Sequence, residues 1–212
     1  MKAKLPLRGL YAITPETSPL PLVELVQKAL QGGARLVQYR DKSGDGERRL
    51  QEGTSLVRLC RHHGVPLVIN DDMELAAAVG ADGVHLGQDD GSIAAARRLL
   101  GPEALIGVSC NNSLAQAEAA ATGGADYLAF GRFFPSRSKP DAPPTSLDLL
   151  RAARSRFRLP LVAIGGITPE NGPALIEAGA DMLAVIEALF GAADVAAAGR
   201  AFGDLFATPT HP

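Results

Sequence analysis

"TGGADYLAFG", residues 122–131, has three counterparts in the chain: "QGGARLVQYR" (31–40), "AVGADGVHLG" (78–87) and "EAGADMLAVI" (177–186). Each reads as the end of a helix, a glycine able to take the left-handed cap conformation, then Ala and a polar residue leading straight into an apolar strand. That pattern is a tight turn from helix to strand. The shared glycines Gly33, Gly80, Gly124 and Gly179 recur about every 45 to 55 residues, twice the ~25 to 30 residues of one strand-helix unit. The repeat therefore marks every second unit.

The alternate strands lie between: "GLYAIT" (9–14), "PLVIND" (66–71), "LIGVS" (105–109) and "PLVAIGG" (160–166). Each is a short, nearly continuous apolar run, as expected of parallel strands covered on both faces. Helix-forming stretches fill the gaps at 20–31, 47–62, 74–79, 93–100, 114–122, 147–157, 169–178 and 194–206. Alternation forces parallel strands and right-handed crossovers, and eight units close on themselves. The expected fold is α/β, a single (β/α)8 barrel of the TIM type spanning residues 1–212, with a flexible tail at 207–212; an open doubly wound sheet is the alternative.

A formal net charge of −2, with Lys and Arg scattered along the chain, leaves no footprint for nucleic acid, so an anionic partner should be small and locally bound. Arg8 cuts the apolar run of the N-terminus too short for a signal peptide, and no stretch approaches a membrane span, so the expected compartment is cytoplasmic. Cys60 and Cys110 are far apart and form no CxxC pair, and are read as free thiols.

In such a barrel the reactive groups come from the C-terminal ends of the strands. Nearly every polar residue that interrupts an apolar strand here lies at that end. Gln38, Arg40 and Lys42 are spaced by two and share a face, with Tyr39 and Asp41 on the other. Two cations at one barrel mouth suit a diphosphate or carboxylate clamp, Arg as a planar fork and Lys as a point charge; the alternative is pairing with strand-end carboxylates such as Asp71 and Asp90. Asn70, Asp71 and Asp90 end neighbouring strands, and two carboxylates without a Cys or His cluster suit a hard divalent ion, Mg2+ being expected. Spacing leaves Asp89 and Asp90 unseparated, and Asp72 and Asp89 also read as helix caps or first-turn acids. His85, alone within a strand, reads as a hydrogen-bonded core residue. In "AIGGITPEN" (163–171) Thr168 reads as an N-cap before Pro169, and the glycine pair as a place where phosphate reaches backbone N–H groups.

Taken in order, "VQYRDK", "INDDMELAAAVGADGVHLGQDD", "GVS", "GRFFPSRSK" and "VAIGGITPEN" resemble the thiamine-phosphate synthase family, over the stretch from Leu10 to Phe190. The resemblance implies an enzyme that couples hydroxymethylpyrimidine diphosphate with a thiazole phosphate, releasing pyrophosphate through a dissociative pyrimidine cation. It implies a pyrimidine diphosphate site at Gln38, Tyr39, Arg40, Asp41, Lys42, Asn70 and Lys139, with Mg2+ on Asp71 and Asp90. Ser109 matches the serine beside the reacting carbon, and Ser136, Arg137, Ser138, Gly166, Ile186 and Glu187 match the thiazole phosphate positions. Arg40, Lys42, Ser109 and Lys139 would carry the catalysis. The implied partners are these small molecules, with no nucleic acid or membrane and a family tendency to form homodimers.

The chain departs from the family pattern at Arg132, where Pro is more usual, at "SCNNS" (109–113), which replaces a Ser-Thr-His-Thr-like segment but keeps Ser109, and in two places that bear on the thiazole phosphate. Ser136-Arg137-Ser138-Lys139 replaces Thr-x-Thr-Lys, and Glu187 stands where the family carries Ser. A carboxylate there repels a phosphate, so either the backbone N–H alone is used or the thiazole site is altered. The proline-rich stretch "GRFFPSRSKPDAPP" (131–144) reads as a lid carrying Ser136, Ser138 and Lys139 onto the substrates. Two other functions fit the scaffold: a TenI-like thiazole tautomerase, which uses a His near the loop after strand 5, and a non-catalytic phosphate-ligand-binding barrel.

Overall fold

The computed structural model describes residues 8–18, 20–135 and 143–207. Its strands β1 (Gly9–Ile13), β2 (Leu36–Tyr39), β3 (Leu67–Asn70), β4 (Gly83–Leu86), β5 (Leu105–Asn111), β6 (Tyr127–Gly131), β7 (Leu161–Ile164) and β8 (Met182–Val185) are all parallel. They follow sequence order around a closed barrel. Closure is made by Gly9 to Ala12 pairing with Met182 to Val185, which removes the open-sheet alternative. The expected tail reaches the described residues only at Ala207, and the loop 136–142 lies outside them.

The helices are α1 (Leu22–Gln31), α2 (Gly46–His62), α3 (Met73–Val79), α4 (Ile93–Leu100), α5 (Leu114–Thr122), α6 (Leu147–Arg156), α7 (Gly172–Glu177), α8 (Glu187–Phe190) and α9 (Val195–Asp204). Six begin on a side chain that accepts a backbone N–H three residues on: Asp45, Asp72, Ser92, Ser113, Ser146 and Asp194. Two expectations change. The one-turn helix α8 follows β8 as an addition to the eight-fold alternation. Thr168 is not a cap: α7 starts at Gly172, and Asn171 closes the preceding turn by accepting Thr168 N–H at 2.9 Å and donating to Gly166 O at 3.0 Å.

The repeat has a physical basis. Gly33, Gly80, Gly124 and Gly179 have φ of +90°, +67°, +89° and +107°, where a β-carbon is strained. Two residues on, the polar position reaches back to the neighbouring strand. Asp82 accepts Leu67 N–H at 2.9 Å, Asp126 accepts Ile106 N–H at 2.7 Å, and Asp181 accepts Leu161 N–H at 2.8 Å. Each aspartate also donates its own N–H to the carbonyl of that same residue. Arg97 on α4 and Arg154 on α6 bind Asp126 and Asp181. These clamps satisfy backbone groups where strands begin, at about 1 kcal/mol or more each.

Alternation along each strand divides the apolar residues into two cores. Outward residues such as Leu10, Val37, Ile69 and Leu128 pack under the helices, and inward ones such as Tyr11, Leu36, Val68 and Met182 fill the barrel. Gly107 lies inward on β5, and a β-carbon there would overlap the ring of Tyr127. Cys60 and Cys110 are buried in the outer core as free thiols, and burial pushes both up to about 12.

Candidate active site

The C-terminal strand ends surround an opening of about 1300 Å³. On β2 and its loop, Gln38, Arg40 and Lys42 line it. Arg40 is held by Thr14, whose hydroxyl accepts the Arg40 N–H at 2.8 Å and donates to the Arg40 carbonyl at 3.2 Å. Its guanidinium meets Glu16, from the loop after β1, at 2.6 Å. Lys42 Nζ lies 3.3 Å from Asp71. One of the two cations therefore pairs with an expected strand-end carboxylate, the other with an acid from a different loop.

The side chains of Tyr39 and Asp41 do not reach the opening. Tyr39 Oη donates to Glu52 at 2.7 Å and to Asp41 at 3.3 Å, under α2. Burial, Glu52 and Asp41 together raise the phenol above the ordinary tyrosine range. Burial alone would raise Asp41, but hydrogen bonds from Ser43 and Arg48 outweigh it and lower its carboxyl. This cluster anchors the back of β2, so the cations on the other face are presented by a fixed strand.

Asn70 and Asp71 line the opening at the end of β3. Asp71 has φ +64°, an uncommon left-handed value for a residue with a β-carbon, and its N–H is tied to His85 O at 2.8 Å. Asp90 accepts Gly87 N–H at 2.7 Å. Burial and a hydrogen bond with the facing Asp71 carboxyl hold Asp90 above the usual carboxylate range. Asp90 thus meets Asp71, Asp89 also lines the opening, and Asp72 caps α3 and pairs with Arg49 at 2.9 Å.

Across the opening, Gly165 and Gly166 take φ of +106° and +59°, and a β-carbon on Gly166 would strike Pro135 and Phe134. Ile186 and Glu187 line the same side, Glu187 as the first residue of α8. Beneath, polar side chains cross the barrel in single file. Gln38 Nε2 donates to Tyr11 Oη at 2.6 Å, Tyr11 Oη lies 2.9 Å from Tyr127 Oη, and Tyr127 Oη lies 3.0 Å from His85 Nδ1. His85 Nε2 then lies 2.9 Å from Ser109 Oγ, at the rim.

A family model described as thiamine monophosphate synthase matches residues 10–189. The chain belongs to this family. It is 56% identical to the thiamine-phosphate synthase of Nitrosococcus oceani, over 94% of this chain and 93% of that protein. It is 54% identical to that of Methylobacillus flagellatus, over 95% and 96%. The solved thiamine phosphate pyrophosphorylase of Pyrococcus furiosus superposes with a TM-score of 0.87 at 36% identity, covering 95% of this chain and 96% of that one.

In this synthase-family chain, the opening brings together Gln38, Arg40, Lys42, Asn70, Asp71 and Asp90 with Ser109, Gly166, Ile186 and Glu187. Ser136, Arg137, Ser138 and Lys139, and with them the expected lid, lie outside the described residues. Sequence reading passed over Thr14, Glu16, Tyr11 and Tyr127, and left His85 to the core. It is buried, as expected, yet one edge lines the opening. The available signal was alternation: Tyr11, His85 and Tyr127 each interrupt an apolar strand at an inward position.

Proposed function

We propose that this thiamine monophosphate synthase family member couples hydroxymethylpyrimidine diphosphate with thiazole phosphate, giving thiamine phosphate and pyrophosphate. The observation that carries the reading is one opening that holds both a cation pair, Arg40 and Lys42, and a facing carboxylate pair, Asp71 and Asp90. Departure of diphosphate needs charge neutralisation more than a nucleophile. Arg40 offers a planar fork to the diphosphate oxygens and Lys42 a point charge. Ser109, at the rim of the same opening, offers its hydroxyl beside the reacting carbon. The glycine pair and the backbone at Ile186 and Glu187 receive the thiazole phosphate on the opposite side, which fixes the attack direction.

Mg2+ fits the carboxylate pair. Two acids share a hydrogen bond that raises one of them, and Gly87 lacks the β-carbon that would displace Asp90. Among the described residues no group of three or more His, Cys, Asp or Glu could hold a metal, so a hard ion here would take its remaining ligands from water and diphosphate oxygens. When bound, Mg2+ would neutralise oxygen charge on the leaving group. No helix among the described residues is long and apolar enough to cross a membrane.

The test is pyrophosphate release with both substrates and Mg2+. Turnover requiring all three is expected; measurable binding of both substrates without turnover would overturn the reading.

A further inference from the structure

The file Gln38–Tyr11–Tyr127–His85–Ser109 has a direction. Burial pushes both phenols far above the ordinary tyrosine range, so each stays neutral with one hydrogen to place. Gln38 donates its amide N–H to Tyr11, so Tyr11 must place its own hydrogen on Tyr127. Tyr127 in turn places its hydrogen on His85 Nδ1, which has to be the unprotonated nitrogen. The imidazole hydrogen then sits on Nε2 and points at Ser109 Oγ. Ser109 keeps its hydroxyl hydrogen for the opening.

We infer that this file is a polarised relay in which His85 is a positioning residue, held as the Nε2–H tautomer so that Ser109 faces the opening as a hydrogen-bond donor. The reverse direction would have Ser109 donate into the barrel and turn lone pairs toward an anion. That the donor meets a diphosphate rests on the synthase reading; the tautomer does not.

The barrel is built around this file. Gly107 leaves the room that the Tyr127 ring occupies. The His85 and Tyr127 rings stack with centroids 5.6 Å apart, and Tyr11 meets Tyr127 edge-on at 6.0 Å. Ser109 is fixed from behind as well, because its carbonyl accepts Gln88 Nε2 at 2.5 Å. Each hydroxyl and ring in the file therefore has a set position before any ligand arrives.

Two measurements test the relay. In the full chain labelled with 15N-histidine, with the His85 signals assigned by their loss in His85→Asn, NMR should show Nε2 protonated and Nδ1 bare. A protonated Nδ1 would overturn the relay whether or not the protein turns over. The second is a double-mutant cycle. Tyr127 is fully buried and does not line the opening, so Tyr127→Phe should lower kcat about 5- to 10-fold with the KM for thiazole phosphate unchanged. In a Ser109→Ala background the same change should cost nothing further; an equal loss in both backgrounds would sink the positioning role. Absence of turnover with the Nε2–H tautomer present counts against the synthase reading alone. If Tyr127→Phe does not fold, the tautomer of the unaltered chain still decides.

Discussion

The Asp90 carboxylate occupies the space that a β-carbon on Gly87 would need, and it accepts the Gly87 N–H at 2.7 Å. One glycine thereby sets the position of a carboxylate three residues away and aims it at Asp71. Gly87→Ala should displace Asp90 with little change in melting temperature. The Mg2+ concentration for half-maximal activity should rise about 10- to 100-fold, with the rate recovered at high Mg2+. A Mg2+ titration of initial rates checks this, and an unchanged midpoint would refute it.

Asp90 carries a second expectation, for stability against pH. Its carboxyl is raised above the ordinary 3.8 by burial and by the facing Asp71. A raised folded-state pKa means that its contribution to stability is full below the ordinary value and is lost as pH rises through the folded one. Asp90→Asn should therefore melt higher than the parent at neutral pH without Mg2+, with the gap closing as pH falls through the raised folded value and gone below the ordinary 3.8. Thermal melts across that window, without added metal, test the sign; a variant less stable at neutral pH would contradict it.

Glu16 holds the Arg40 guanidinium that the proposed function assigns to the diphosphate. The Arg40 side chain is 10% exposed and that of Glu16 52%, so the pair is weak on the Glu16 side and its breaking costs at most about 1 kcal/mol. Glu16→Gln should lower the KM for the pyrimidine diphosphate by about 2- to 5-fold. Steady-state kinetics at fixed thiazole phosphate read it, and a raised KM would show that Glu16 orients Arg40 instead of competing for it.

Glu187 lines the opening on the side of Gly166. A carboxylate there repels a phosphate over distances that salt screens. Glu187→Ser should lower the KM for thiazole phosphate severalfold at low ionic strength, with the difference shrinking in added salt. An unchanged KM in both conditions would mean that the phosphate uses the backbone alone.

Much of this protein is legible along the chain because its signals are local. The left-handed glycines at 33, 80, 124 and 179 announce turns, continuous apolar runs announce parallel strands, and spacing by two puts Gln38, Arg40 and Lys42 on one face and Tyr39 and Asp41 on the other. The start of α7 was misread because Asn171 bonds backward to Thr168 and Gly166, and a Thr-Pro pair has the same sequence whether or not a helix follows at once.

By itself, then, the sequence determined the barrel, the end of it where the polar candidate residues gather, and the two faces of β2, all consequences of period and turn residues. Tertiary structure alone decided who meets whom. Pairing of β1 with β2 brings Thr14 and Glu16 to Arg40, and ring closure sets β1 beside β8 as well. The stagger of the strands puts Tyr127 against Gly107 and His85 between a phenol and Ser109. Such pairings join residues up to 116 positions apart, and no local pattern encodes them, because they depend on how a closed sheet is wound.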